Sequence, residues 1–215
     1  MKVIESNVEI LTPINGEEIL KLIEIIARTC YKSEDKITND SAKKMIAMLI
    51  RNGHEAMLEH FNITVKFIVD RGISHEIVRH RMASYAQEST RYCSYDKDKF
   101  GNEITVIKPI EIEKYSIHDI YTKEYIEWHN SCKAAEDSYF YLLNHGVKPQ
   151  SARSVLPTCL KTEIVMTANL RELRHFLKLR TDKAAHPDIQ HVSKMLLNKL
   201  RKLIPVVFDD ITTEE

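Results

Sequence analysis

Phe61-Asn62-Ile63-Thr64-Val65-Lys66-Phe67-Ile68-Val69-Asp70, closed by Asp70-Arg71-Gly72, is the stretch on which the class of fold turns. Phe61, Ile63, Val65, Phe67 and Val69 alternate with Asn62, Thr64, Lys66, Ile68 and Asp70. Successive side chains of a strand point to opposite faces, so the segment reads as a strand with one apolar face and a turn behind it. Upstream, residues 2–10 predict a short strand and 17–29 a helix with Ile19, Leu22, Ile23 and Ile26 on one stripe. Asp40 caps a second helix carrying Met45, Met48 and Leu49, and Asn52-Gly53 ends it. Downstream, a helix is expected from Ser74 to about Tyr85, then a polar, irregular segment from Gln87 to Tyr95. A strand over 103–109, a long helix over 118–144 broken by Gly146 and Pro149, and a strand over 162–168 behind Pro157 follow. Asn169 caps a helix reaching Arg180, and Pro187 opens the last one, to Leu203. Helices and strands alternate without a regular β-α-β-α rhythm. The expected class is therefore α+β, a single domain over 1–215 with a mostly antiparallel sheet packed by helices.

The chain sets 31 Lys+Arg against 31 Asp+Glu over 215 residues. Zero net charge argues against a general binder of nucleic acid or of anionic membranes, which carries a basic excess. The longest apolar run, Met45 to Ile50, has six residues, where a membrane span needs about 20. Met1-Lys2-Val3-Ile4-Glu5 places an acid where an export signal needs apolar residues. Cys30, Cys93, Cys132 and Cys159 lie far apart with no C-x-x-C pair, so a reduced, cytoplasmic protein is expected. Five glycines, with neither G-x-G-x-x-G nor G-x-x-x-x-G-K-[ST], leave the holding of any nucleotide to side chains.

Sorting the cations by type is more informative. Eleven are Arg, and eight of these fall within 71–91 and 153–180, windows that hold only two of the 20 Lys. Arg presents a planar fork to phosphate or carboxylate, so this segregation points to anion sites. On a helix Arg79 and Arg81 would project about 200° apart, which suggests two adjoining sites. Beyond them Ser89, Thr90 and Arg91 offer hydroxyls, backbone N–H groups and a guanidinium to a phosphate. In the second window Leu170, Leu173, Phe176 and Leu177 form a buried stripe, with Arg180 in line with it where core meets cleft. Arg171, His175 and Lys178 share a neighbouring face.

Ten histidines invite a metal, but His75 and His80 would diverge by roughly 140° on a helix, and His54 and His60 fail similarly, so no metal site is expected. Cys159, with Arg153 near it in the chain, has the makings of an activated nucleophile, although a cysteine at the mouth of a strand is usually a small hydrophobe. An RNA-binding reading, with Tyr85, Tyr92 and Tyr95 as stacking platforms among the arginines, is opposed by the zero net charge.

Arg79-His80-Arg81, followed after seven residues by Ser89, resembles the R-H-R-x7-S signature of the flavin-dependent thymidylate synthases. The likeness runs on through Met82-Ala83-Ser84-Tyr85-Ala86-Gln87-Glu88 and Thr90-Arg91-Tyr92. It includes Gly53-His54-Glu55 and Glu59-His60 upstream, Arg153 with Leu156-Pro157, Asn169-Leu170-Arg171, and Phe176-Leu177-Lys178-Leu179-Arg180, covering about residues 20–200. The resemblance implies a homotetramer with FAD at subunit interfaces. It implies a reaction in which NADPH reduces the flavin, 5,10-methylenetetrahydrofolate gives its methylene to dUMP, and flavin hydride completes the methyl group of dTMP. FAD contacts are implied for Ala56, Arg79, His80, Arg81, Gln87, Asn169, Leu170, Arg171 and His175. Contacts with dUMP are implied for Glu76, Ile77, Val78, Arg79, Gln87, Glu88, Ser89, Thr90, Arg91, Arg153 and Arg180. Arg180 is the catalytic residue so implied, a fixed cation for charge developing at uracil N3 and O2, and a guanidinium does not serve as a proton carrier. Ser89 then positions substrate, because no His–acid pair is evident to activate it, and no enzyme cysteine acts as nucleophile. Two positions depart from the family pattern: Ala56, often Ser or Thr, and Cys30, often Ser. At Ala56 a backbone N–H remains to serve.

Overall fold

The computed structural model describes residues 1–96, 101–112 and 121–213. In chain order its elements are β1 (Lys2–Ile4), β2 (Asn7–Ile10), α1 (Gly16–Thr29), α2 (Ser41–Arg51), β3 (Asn62–Asp70), α3 (Arg71–Ile77), β4 (Ala83–Gln87), β5 (Thr105–Ile107), α4 (Lys123–Asn144), α5 (Pro149–Ala152), β6 (Lys161–Asn169), α6 (Leu170–Arg180) and α7 (Pro187–Leu203). The alternation read in β3 is realised: Ile63, Val65, Phe67 and Val69 are buried. β6 repeats it with Thr162, Ile164, Met166 and Ala168. Four strands, ordered β2-β3-β6-β4, form an antiparallel sheet, which gives the α+β class expected. β1 and β5 are the exception, a parallel pair with Val3 opposite Val106. The single strand expected over 2–10 is thus divided between two sheets.

The chain builds two compact units, and neither is a continuous stretch. One comprises Met1–Asn7, Phe67–Arg79 and Ala86–Ile164. Its core gathers Tyr95, Ile104, Val106, Cys132, Tyr139 and Leu160, with Trp128, Phe140 and Cys159 packed against them. Thr122 caps α4 by accepting the Tyr125 N–H at 3.2 Å, and Gly146, at φ 82°, takes the left-handed conformation that follows the helix end. The start expected at 118 lies outside the described residues.

The other unit comprises Val8–Lys66, His80–Tyr85 and Val165–Glu215. α6 contributes Leu170, Leu173, Phe176 and Leu177 to its core, all fully buried, as the stripe predicts, and α7 adds Ile189, Val192, Leu196 and Leu197. The stripe on α1 is rotated from expectation: Leu20 and Ala27 join Ile19 and Ile23 inside, whereas Leu22 is exposed. The cause is the buried Glu24–Arg28 pair, with Arg28 Nε donating at 2.8 Å, which occupies the inner face beside Ala27. On α2 Ile46 and Leu49 face inward and Met48 is exposed.

The largest departure concerns the helix expected over Ser74–Tyr85. Asp70 caps its helix three residues early, accepting the Ile73 N–H at 2.7 Å, and α3 ends at Ile77. Ala83–Gln87 then runs as a strand beside β6 in the sheet order. Arg79, His80 and Arg81 therefore lie in the turn between α3 and β4, and the helical angle between the two arginines does not apply. Sheet pairing decided this segment, because a strand's preference depends on the partner it finds.

Gly16, the first residue of α1, has no room for a side chain: a Cβ would stand 2.1 Å from the Leu203 carbonyl oxygen at the end of α7. The obstacle is backbone, which cannot swing aside. Gly16→Ala is expected to lower unfolding stability by about 1–3 kcal/mol, the usual cost of overpacking. Urea unfolding followed by circular dichroism measures this, and a variant as stable as the parent would mean that α1 and α7 meet less closely.

Candidate active site

The N-terminal turn of α6 forms one wall of a cavity of about 340 Å³. Asn169 accepts the Glu172 N–H at 2.9 Å and thereby caps the helix, while the Leu170 N–H is taken by the Phe61 carbonyl at 3.0 Å. With the cap set, the residues of one helical face, Arg171, His175 and Lys178, line the cavity together, opposite Glu55, Glu59 and Met82. Arg171 Nη1 donates to Glu59 at 2.5 Å. Ala56 lies exposed in the 3-10 stretch Glu55–His60.

His80 turns inward from its exposed neighbours Arg79 and Arg81 and is 5% exposed. Arg180 Nε donates to His80 Nε2 at 3.1 Å. A guanidinium only donates, so Nε2 must accept and the imidazole proton sits on Nδ1, where it is given to Glu172 Oε1 at 3.2 Å. Phe176 packs edge-on against the ring, with centroids 4.8 Å apart. Burial, then the Arg180 charge, then His175 lower the His80 pKa from 6.5 to about 4, so the ring is neutral at pH 7. Burial also raises the Glu172 carboxyl. Tyr85 completes the arrangement by donating to the His80 carbonyl at 2.6 Å.

Ligand atoms of His80, Glu172 and His175 come within 4.8 Å of one another, a spacing a metal ion could bridge. The tautomer opposes it, since a metal would need the Nδ1 lone pair and Arg180 leaves the proton there. The group is a hydrogen-bond chain from a cation to a carboxylate.

Fully buried Arg174 sits on the inner face of the same helix, with two nitrogens on Asp210 at 2.6 and 2.8 Å, one on Glu55 at 3.0 Å, and a bond to the Val207 carbonyl. Hydrogen bonding from Arg174 holds the Asp210 carboxyl below its ordinary range. The sequence reading passed over Arg174, yet Leu170, Arg174 and Leu177 share i, i+4, i+7 spacing, so its place on the stripe was legible.

A second cavity, of about 520 Å³, belongs to the other unit. Arg71, His75, Thr90, Arg153 and the segment Leu156–Thr158 line it. Arg153 Nη1 donates to Thr90 Oγ1 at 2.8 Å, and the Arg71 N–H reaches the carbonyls of both Thr158 and Leu160 at 3.1 Å. Arg71, which opens the first arginine window, joins Thr90 and Arg153 here, and so does His75, which no motif marked. Nearby in the chain, Ser89 Oγ accepts the Arg91 N–H at 3.3 Å, and Glu88 is held by Lys161 at 3.1 Å. The Gln87 side chain donates to Ser74 and Thr162 at 2.9 and 3.2 Å, and the Ile77 side chain is fully buried. Glu76 is half-buried and Val78 exposed.

A family model described as thymidylate synthase complementing protein, Thy1, matches residues 14–206. A flavin-dependent thymidylate synthase of Sulfurisphaera tokodaii is 35% identical over 198 residues, 90% of this chain and 72% of the relative. One from Pyrococcus furiosus is 34% identical over 172 residues, 80% of this chain and 67% of the relative. One from Geobacter sulfurreducens is 29% identical over 195 residues, 87% and 80%. Among solved structures, a UMP/dUMP methylase from Streptomyces cacaoi bound with 5-Br dUMP has a TM-score of 0.78 at 23% identity, covering 97% of this chain and 96% of that one, a likeness of fold. With the family model spanning nearly the whole chain and relatives above 30% identity, the chain belongs to the Thy1 family of flavin-dependent thymidylate synthases.

Proposed function

We propose that the protein is a FAD-dependent thymidylate synthase, which methylates dUMP to dTMP with the methylene of 5,10-methylenetetrahydrofolate and hydride from NADPH. The observation that carries this reading is the chain Arg180–His80–Glu172, a cation held in one orientation by a neutral, buried imidazole.

The α6 cleft suits part of a flavin dinucleotide. The helix N-terminus and the Arg171 guanidinium attract a diphosphate, His175 offers an exposed flat ring, and Asn169 lines the cleft beside them, with buried Leu170 packed behind. Exposed Arg81 and the backbone at Ala56 belong to the same unit and are assigned to FAD with them, and Arg79 is assigned to FAD by the family likeness alone. When bound, the flavin supplies the hydride that completes the methyl group. At about 340 Å³ the cleft is at the low end of ligand cavities, in keeping with a homotetramer whose subunits complete each other's sites.

The second cavity suits the phosphate of dUMP. Arg153 and Thr90 already stand together there, Ser89 and Arg91 add donors along the chain, and Glu76, Val78 and Glu88 are assigned to the rest of the nucleotide by the family likeness. Uracil C5 is a weak nucleophile and gains strength when negative charge at N3 and O2 is stabilised in a dry site. Arg180 is assigned that stabilisation by the family likeness and by the single orientation in which His80 holds it. Holding it by Nε fixes the plane of its terminal nitrogens, so little reorganisation accompanies charge development. No thiolate is needed, and Cys159 is engaged with Cys132. Among the described residues no helix is long and apolar enough to cross a membrane. A cytoplasmic setting and the whole chain acting as one domain are parts of the same reading.

Arg180→Ala is expected to cut dTMP formation by about 100-fold or more, measured anaerobically with NADPH, 5,10-methylenetetrahydrofolate and dUMP on the yellow, flavin-loaded protein. Unchanged turnover would remove Arg180 from catalysis, and a protein that takes up no FAD would overturn the cofactor.

Neutral His80 also links stability to pH. Between 6.5 and about 4 the unfolded chain binds a proton that the folded one refuses, so stability is lost as pH falls through that window, by up to about 3 kcal/mol. His80→Gln should flatten this slope in urea unfolding of the flavin-free protein at pH 7 and 4.5. Equal slopes for both proteins would show that His80 titrates normally.

A further inference from the structure

Cys132 and Cys159 are far apart in the chain, but the fold brings their Sγ atoms to 3.3 Å. Cys132 stands on α4 and is buried, whereas Cys159, in the segment that leads into β6, is half-buried. The two thiols share one hydrogen bond. Donation from Cys132 lowers the Cys159 thiol and pushes the Cys132 thiol up. Exposure and acidity thus divide the pair into an accessible thiol that ionises first and a protected partner in contact with it, the arrangement of an attacking and a resolving cysteine.

The surroundings give this pair a consequence. Cys159 lies between Thr158 and Leu160, whose carbonyls both accept the Arg71 N–H, and Pro157, Thr158 and Leu160 line the cavity that holds Arg71, Thr90 and Arg153. A disulfide has sulfurs about 2.05 Å apart, so closing the pair shortens the present separation by about 1.3 Å. Cys132 belongs to a helix of 22 residues, whereas Cys159 follows an irregular segment.

We infer that Cys132 and Cys159 form a peroxide-responsive dithiol, whose oxidation to a disulfide draws Pro157–Leu160 toward α4 and reshapes the adjoining cavity. The Cys159 thiolate attacks a hydroperoxide, its sulfur taking one oxygen while the O–O bond breaks, and becomes a sulfenic acid as the leaving hydroxide or alkoxide takes up a proton. The Cys132 sulfur then attacks the sulfenic sulfur. The S–S bond forms, the S–O bond breaks, and water departs with the Cys132 proton. Two thiols are oxidised by two electrons and one peroxide is reduced. A dithiol reductant reverses the change by exchange. The effect on nucleotide binding rests on the cavity being the dUMP site, whereas the thiol chemistry does not.

The test uses the full-length, flavin-loaded protein treated with hydrogen peroxide, denatured, labelled with a maleimide and mapped by mass spectrometry. The expected result is a peptide pair linked through Cys132 and Cys159, released by dithiothreitol, and in Cys132→Ser a dimedone adduct at Cys159. Peroxide that leaves both residues as separate labelled thiols, or that links either to Cys30 or Cys93 instead, overturns the dithiol. In titrations with dUMP the oxidised protein is expected to bind about tenfold more weakly or worse, while a Cys132→Ser/Cys159→Ser double variant responds to peroxide no more than its untreated control. A disulfide that leaves dUMP affinity unchanged overturns the coupling. Reduced protein that binds no dUMP at all overturns the nucleotide reading of the cavity and the coupling with it, and the peptide map still decides the dithiol.

Discussion

The fully buried guanidinium of Arg174 is the interaction around which one whole unit is arranged. Taking a charge out of water costs several kcal/mol even after relaxation, and the fold tolerates it only because partners converge from separate places in the chain. Asp210 and Val207 come from the segment after α7, and Glu55 from the 3-10 stretch before β3. One side chain of α6 thus ties down the chain on two sides of it. Glu55 also lines the α6 cavity, so the wall of the cleft is fixed by the charge balance of the core.

α6 does three jobs with one set of alternating faces. Its inner face carries Leu170, Leu173, Phe176 and Leu177 with Arg174 among them, its outer face presents Arg171, His175 and Lys178 to the cavity, and Glu172 and Arg180 hold His80 from either side of the ring. The tautomer of His80 follows from Arg180 having only protons to give. Arg180 is thereby held in one orientation by a neutral group that does not compete with it for charge.

Much of this was legible beforehand where the signal is local. The alternation of β3, the Asn169 cap, the stripe on α6 and Pro187 at the start of α7 depend on neighbours within a turn or two, and they stand where the residues put them. Segments whose state depends on distant partners were not legible. Ala83–Gln87 carries no strong strand pattern and is a strand because the sheet has a place for it, which moves Arg79, His80 and Arg81 off a helix and into a turn. Leu22 faces outward because Glu24 and Arg28 satisfy each other inside. Arg71 and His75 reach the second cavity from α3, whose early start the Asp70 cap decides.

By itself, then, the sequence determined the type and order of most elements, the segregation of most Arg into two windows, and the signature run from Arg79 to Ser89, because these are properties of residue identity and short spacing. Only the tertiary structure decided which way His80 carries its proton, that Arg174 is an interior charge, and that two cysteines 27 positions apart share a hydrogen bond. The physical reason is common to all three. A proton, a buried charge or a thiol takes its state from the atoms around it, and in a folded chain those atoms arrive from far along the sequence.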